Sequence, residues 1–202
     1  MKYKFTMNFS ADGCTQRNIE YIISRFGLPN SILELGVYEG GTTFWLSEVL
    51  DRFSHDYVYY AVDPHFGSVD LGDADFNSVK ANFLSNLKTY GKDTVKYLPV
   101  TSTEALVQFK TSGTYFDLVY VDGDHRASQV LTDLVLSWEC IRPGGVILCD
   151  DATEWKFTDS NQSSPAQMSP RMAIETFIMC NWDRLNIIKL PDSAQTAFVK
   201  MV

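Results

Sequence analysis

Strand-sized apolar runs alternate along this chain with stretches of helical spacing, and this alternation restricts the fold more than any other feature. Ser31–Leu35, Tyr57–Val62, Thr94–Val100, Phe116–Val121 and Val146–Cys149 are short and rich in β-branched, aromatic or other apolar residues. Before and between them, Cys14–Phe26, Thr42–Phe53, Phe76–Tyr90, Thr103–Lys110 and Ala127–Cys140 repeat apolar residues at helical spacing, as Val130, Leu131, Leu134 and Trp138 do. A strand that rejoins its sheet through a helix runs parallel to its neighbour, and a parallel sheet needs helices on both faces. Further on, Met172–Asn181 is helical in pattern. Leu185–Leu190 and Thr196–Met201 are separated only by Pro191–Ala194, too short for a crossover, which predicts an antiparallel hairpin. The expected architecture is a doubly wound α/β fold with a seven-stranded, mostly parallel sheet closed by that hairpin.

At 202 residues the chain suits a single domain over 1–202. Seventeen Lys and Arg against twenty-five Asp and Glu give a net charge of −8, with no basic stripe able to track phosphates, so nucleic acid is not expected as a partner. The apolar runs are strand-sized and Met1–Ser10 lacks a continuous apolar stretch, so no membrane span or signal peptide is expected and the location predicted is cytoplasmic. Cys14, Cys140, Cys149 and Cys180 form no Cys-x-x-Cys pair and are read as reduced thiols. The aromatics between Tyr57 and Tyr60 would serve a homo-oligomer interface if their strand were left uncovered. Thr153–Pro170, polar and without periodicity, is a candidate lid carrying Trp155 and Phe157.

Chemistry concentrates at the strand-to-helix turns. Glu34-Leu35-Gly36-Val37-Tyr38-Glu39-Gly40-Gly41-Thr42 spans the first of them. Its glycines permit close backbone approach to a ligand and positive φ, and the free N–H groups at the helix start favour polar or anionic groups. The spacing is not the Gly-x-Gly-x-x-Gly of dinucleotide enzymes. Asp63 ends the second strand, where an acid can accept both hydroxyls of a ribose, though acids also form turns. In Thr101-Ser102-Thr103-Glu104, Ser102 or Thr103 would cap the following helix.

The most specific feature is a pair of segments, Phe116–His125 with its Asp122-Gly123-Asp124-His125 turn, and Arg142–Asp151 with its Pro-Gly-Gly turn and paired Asp150-Asp151. With the first glycine turn, these resemble the class I S-adenosylmethionine-dependent methyltransferases. The likeness is to the subgroup related to cephalosporin and sugar O-methyltransferases and, more distantly, to catechol O-methyltransferases, and it runs from about Ser31 to Ala152. It implies a Rossmann-like methyltransferase fold and S-adenosylmethionine as cofactor, held through Glu34, Gly36, Tyr38, Gly40, Thr42, Asp63, Ser102, Thr103 and Asp122. The acceptor it implies is a small molecule with a hydroxyl oxygen. Asp122, Asp124, Asp150 and Asp151 would crowd one sheet edge, where a hard cation such as Mg²⁺ relieves their repulsion. By analogy the metal ligands would be Asp122, Asp150 and Asp151, with Asp124 or His125 as general base, an imidazole being suited to proton removal near neutrality. The blander roles are turn shaping by Asp122, helix capping by Asp124 and a solvent-facing Asp150 or Asp151. Arg126-Ala127 departs from the subgroup, which has a small hydroxyl residue and an aromatic there. Two other functions fit the fold, a nicotinamide-dependent oxidoreductase and a cofactor-binding scaffold without catalysis.

Overall fold

The computed structural model describes residues 2–7, 13–67, 75–152 and 169–202. The elements run α1 (Cys14–Phe26), β1 (Ser31–Leu35), α2 (Gly41–Arg52), β2 (Val58–Val62), α3 (Phe76–Tyr90), β3 (Val95–Leu98) and α4 (Ser102–Ser112). They continue with β4 (Phe116–Val121), α5 (Ala127–Cys140), β5 (Ile141–Cys149), α6 (Pro170–Cys180), β6 (Leu185–Ile188) and β7 (Thr196–Lys200). Residues 153–168 of the expected lid, Trp155 and Phe157 among them, lie outside the described residues.

The strands form one seven-stranded sheet in the order β3-β2-β1-β4-β5-β7-β6. Pairings are parallel from β3 through β5, whereas β7 runs antiparallel to both β5 and β6, so the predicted hairpin inserts its second strand next to β5. Because side chains alternate across a strand, each central strand feeds two cores. Leu33, Leu35, Val119, Val121, Ile147 and Cys149 face the α4, α5 and α6 layer, where Trp138, Phe177 and Phe198 pack. Ile32, Leu118, Tyr120, Val146 and Leu148 face the α1, α2 and α3 layer around Phe44 and Phe83. Burying one such aliphatic or aromatic side chain contributes roughly 1.5–3 kcal/mol, and the two layers together cover the sheet. Among the described residues no helix is long and apolar enough to cross a membrane.

Local chemistry departs from the sequence reading in three places. Helix α4 is capped by Thr101, in a capping box with Glu104, and not by Ser102 or Thr103. The Pro-Gly-Gly turn is absorbed into β5, which begins at Ile141; the register jumps from Phe116↔Ile141 to Leu118↔Val146, so Arg142–Gly145 bulge outward from the ladder. The aromatics of β2 are not an interface, since β2 is an interior strand. Tyr59 is fully buried, and Tyr60 packs edge-on against Phe109 and Phe116. Cys14, Cys140 and Cys149 are buried free thiols, and Cys180 is an exposed one.

The turn leaving β1 is the tightest point of the sheet. Gly36 has φ +85, and a Cβ there would sit 2.0 Å from the carbonyl oxygen of Asp122. Gly113, at the end of α4, also has positive φ but has nothing within 4 Å of such a Cβ. Gly113→Ala should therefore cost only the left-handed backbone term, about 1–2 kcal/mol. Gly36→Ala adds a backbone collision and should cost clearly more, upwards of about 3 kcal/mol, or give no folded protein. Urea unfolding of both variants beside the wild type measures the difference.

Candidate functional site

Register brings the chemistry to one edge. Leu35 pairs with Val62 on one side and with Val121 on the other, and Val121 pairs with Cys149. The next residue of each strand, Gly36, Asp63, Asp122 and Asp150, therefore stands in a row along the carboxyl ends of β1, β2, β4 and β5. Each is held by a ladder-type N–H, Gly36 to Val62 O, Asp63 to Leu98 O, Asp122 to Leu35 O and Asp150 to Val121 O. The chain order reverses between β1 and β4, which is where an open α/β sheet leaves a crevice for a ligand. A cavity of about 650 Å³ lies over this row.

At its glycine-loop side, Asp63 accepts hydrogen bonds from the Val37 and Tyr38 N–H groups, each 3.0 Å away, and from the His65 N–H at 2.7 Å. It thus shapes the loop from across the β1–β2 gap while still lining the cavity. His65 is buried and structural: its Nε2 meets the Tyr38 carbonyl and its Nδ1 meets the Tyr97 hydroxyl. Glu34 lies beneath the loop with 2% exposure and accepts from the Tyr59 hydroxyl at 2.7 Å and from the Thr43 hydroxyl. Burial pushes its carboxyl up to about 8, with the charges of Asp122 and Asp63 adding to the shift.

Glu39 is a functional candidate that sequence reasoning passed over. Almost fully buried, it accepts from the Thr6 N–H and hydroxyl and from the Asn82 amide, tying the segment 2–7 to the loop and to α3. That segment carries Phe5 and Met7 to the cavity wall. The available signal was an acid inside a glycine turn, where a solvated side chain would be expected.

At the α4–α5 corner, Ser102 lines the cavity and donates its hydroxyl to Asp133 Oδ1 at 2.7 Å. Gln129, also lining the cavity, donates through Nε2 to the same oxygen at 2.9 Å. Asp133 is fully buried, and its burial pushes the carboxyl up to about 6. An acid set among Val130, Leu134 and Trp138 on the apolar face of a helix was the legible sign of this network. Gly40 and Thr103 do not line the cavity: a Cβ on Gly40 would strike the Phe44 ring, and Thr103 Oγ1 receives Gln129 Nε2 at 3.2 Å.

The acidic side differs from the expected metal set. Asp150 accepts from the Tyr120 hydroxyl at 2.6 Å, the Asp151 N–H at 2.9 Å and Gln195 Nε2 at 3.1 Å, and it is not among the described residues whose ligand atoms converge. Instead Asp122, His125 and Asp151 come together, each offering one ligand atom within 4.8 Å of the others. His125 Nε2 lies 3.0 Å from Asp151 Oδ2 and 3.8 Å from Asp122 Oδ1. Enclosure, then the Asp150 charge, pushes the Asp122 carboxyl up to about 7. Asp151 holds φ +51, a strained value for a residue with a side chain, which turns it toward His125. Asp124 does not cap α5: the Arg126 guanidinium grips both its oxygens, and Oδ1 also accepts from the Arg126 N–H at 2.9 Å.

Glu34 makes a measurable contribution to pH dependence. The folded chain keeps its proton to about 8 whereas the unfolded chain releases it near 4.5, so the stability it contributes is full below 4.5 and is lost as pH rises to 8. Glu34→Gln should flatten the decline in unfolding free energy between about pH 5 and 8, a difference on the order of a few kcal/mol. Denaturant melts across that range test it, and parallel curves would count against a buried, proton-holding Glu34.

Comparison with known proteins identifies the family and the fold. A family model described as a methyltransferase domain matches residues 33–152, more than half of the 202 residues. No curated protein matches. Among solved structures, the SAH-bound methyltransferase PaMTH1 of Podospora anserina is 20% identical, with TM-score 0.63 over 93% of this chain and 78% of that one. An O-methyltransferase from Bacillus cereus in complex with SAH is 16% identical, with TM-score 0.66 over 97% of this chain and 84% of that one. The O-methyltransferase TomG of Streptomyces achromogenes, in complex with SAM, is 17% identical, with TM-score 0.65 over 93% and 80%. These likenesses are of fold. The matched stretch opens within β1 and closes just past the paired aspartates, so it takes in the whole row of strand tips, and this chain belongs to the methyltransferase-domain family.

Proposed function

We propose that this protein transfers the methyl group of S-adenosylmethionine to a hydroxyl oxygen of a small molecule. The observation that carries the reading is the row of Gly36, Asp63, Asp122 and Asp150 beneath one cavity at the β1–β4 reversal, inside the methyltransferase-family match. The SAH or SAM bound in these similar structures, two of which are O-methyltransferases, supports the choice of cofactor and acceptor atom. A carboxylate offers about four lone-pair positions, so Asp63 can hold the loop N–H groups and still receive a ribose hydroxyl. Gly36, Tyr38 and Thr42 bound the loop side of the cavity for the amino-acid part of the cofactor, with Glu34 beneath.

In the reaction, the acceptor oxygen attacks the sulfonium methyl in line. An O–C bond forms, the C–S bond breaks, S-adenosylhomocysteine leaves, and the hydroxyl proton passes to a base. Holding the two reactants in near-attack geometry supplies much of the acceleration. Of the two candidate bases we choose His125, because Asp151 beside it orients the ring and stabilises the imidazolium, whereas Asp124 is committed to Arg126. The Asp122, His125 and Asp151 set, one imidazole and two carboxylates, suits Mg²⁺ poorly, since that ion takes oxygen ligands in strict octahedral geometry. Magnesium therefore has no part in this mechanism.

Titration calorimetry should show S-adenosylhomocysteine binding and no NAD binding, with Asp63→Ala weakening the former by about tenfold or more. NAD binding in its place would restore the oxidoreductase reading. In a screen of hydroxylated acceptors followed by S-adenosylhomocysteine release, His125→Gln should lower kcat by roughly 10²–10⁴ with cofactor affinity little changed. EDTA should leave turnover intact. Full activity in His125→Gln, or activity lost to EDTA and restored by Mg²⁺, would reverse the assignment of the base.

A further inference from the structure

We infer that residues 2–7 form the acceptor-selecting wall of the site: Phe5 and Met7 present apolar surface to the cavity, and they admit a hydroxyl carried on a flat apolar body, a phenol, in preference to a sugar. The inference rests on the proposed methyl transfer and names its substrate class. It sets this chain apart from the sugar O-methyltransferases that its turn motifs resemble.

The other four residues of the segment are its anchors. Lys2 and the Tyr3 hydroxyl both reach Glu48, and the Tyr3 ring stacks on Phe44 with centroids 5.2 Å apart. The Asn86 amide holds both backbone groups of Lys4, each at 2.8 Å. Thr6 donates its N–H, at 2.6 Å, and its hydroxyl to Glu39. Asn86 and Glu39 are each 1% exposed, and a carboxylate is tolerated at such depth only where donors surround it. Two buried polar side chains thus fix the backbone on either side of Phe5, whose ring meets Tyr3 at a tilt, 6.3 Å between centroids. Phe5 and Met7 are left 38% and 51% exposed, and both line the cavity. Large apolar side chains held at such a place gain burial when a ligand of like character enters. A flat ring suits them, since aromatic and thioether groups both pack well on a ring.

Across the cavity, the polar groups are already taken. Cys14, Thr15 and Ala194 line it on the side of Asp150, which Gln195 joins to Thr15. Gln195 gives Nε2 to Thr15 at 2.9 Å and to Asp150 at 3.1 Å, and its Oε1 receives the Asn18 amide at 2.9 Å. Tyr120 donates its hydroxyl to Asp150, and Arg126 occupies both oxygens of Asp124. A sugar brings a hydroxyl on nearly every ring carbon, and each one enclosed without a partner loses its water for nothing. A phenol brings a single hydroxyl, and His125 stands ready for its proton beside Asp151.

The test uses the full chain saturated with S-adenosylhomocysteine and measures the binding of 2-naphthol and of methyl α-glucopyranoside by titration calorimetry. 2-Naphthol should bind about tenfold or more tightly than the glycoside. Phe5→Ala and Met7→Ala trim exposed side chains and leave every anchor in place, so both variants should fold. Each should weaken 2-naphthol by about three- to tenfold and leave S-adenosylhomocysteine affinity within about twofold. Phe53→Ala, at a position 66% exposed and outside the cavity, should alter neither, which separates a wall residue from a general effect of lost apolar surface. A glycoside that binds as well as 2-naphthol or better, or 2-naphthol that does not bind the loaded wild type, would overturn the acceptor class. Unchanged 2-naphthol affinity in both folded variants would overturn the role of the segment. A wild-type chain that does not take up S-adenosylhomocysteine would instead remove the methyl-transfer reading on which the inference rests.

Discussion

The close approach of Gly36 to the backbone of Asp122 is the contact on which the rest of the site depends. It exists because β1 is hydrogen-bonded to β4 on one side and β2 on the other, so that the first turn leaves the sheet directly against the fourth strand's tip. A side chain at that point would push the two turns apart. The loop would then move away from Asp63, whose carboxylate reaches across from β2 to fix two of its N–H groups. Backbone geometry, more than any single functional group, brings the acids to one cavity.

Crowding those acids has an electrostatic cost, and the fold meets it with protons and hydroxyls. Glu34 and Asp122 are both held above their ordinary range, chiefly by enclosure. Tyr59 and Thr43 donate to Glu34, while Tyr120 donates to Asp150 and also reaches Asp122 at 3.0 Å. Gln195, from the turn before β7, adds a further donor to Asp150 and joins α1 to the sheet through Thr15. The antiparallel hairpin therefore contributes to the site as well as to the core.

Periodicity made the framework legible: Phe76–Tyr90, Phe116–Val121 and Ala127–Cys140 are elements with the bounds their patterns predict. Glycine and acid placement at the turns made the row of strand tips legible too. What escaped depends on which way a side chain turns. Asp150 and Asp151 are adjacent and chemically identical, and only the positive φ of Asp151 sends one toward His125 while Tyr120 and Gln195 claim the other. The cap on α4 was missed by one residue, because Thr101, Ser102 and Thr103 are all competent caps and backbone exit angle decides among them. Gln129 and Asp133 could not be paired from spacing alone: at i and i+4 they share a helix face, but nothing in the pattern says that Ser102, from another helix, meets them there.

Glu39 joins distant parts of the chain into a single mechanical unit. One carboxylate belongs to the glycine loop and also grips Thr6 and, through Asn82, α3, while Tyr3 stacks on Phe44 just behind it. Load applied to the amino-terminal segment is thereby transmitted to the floor of the cavity.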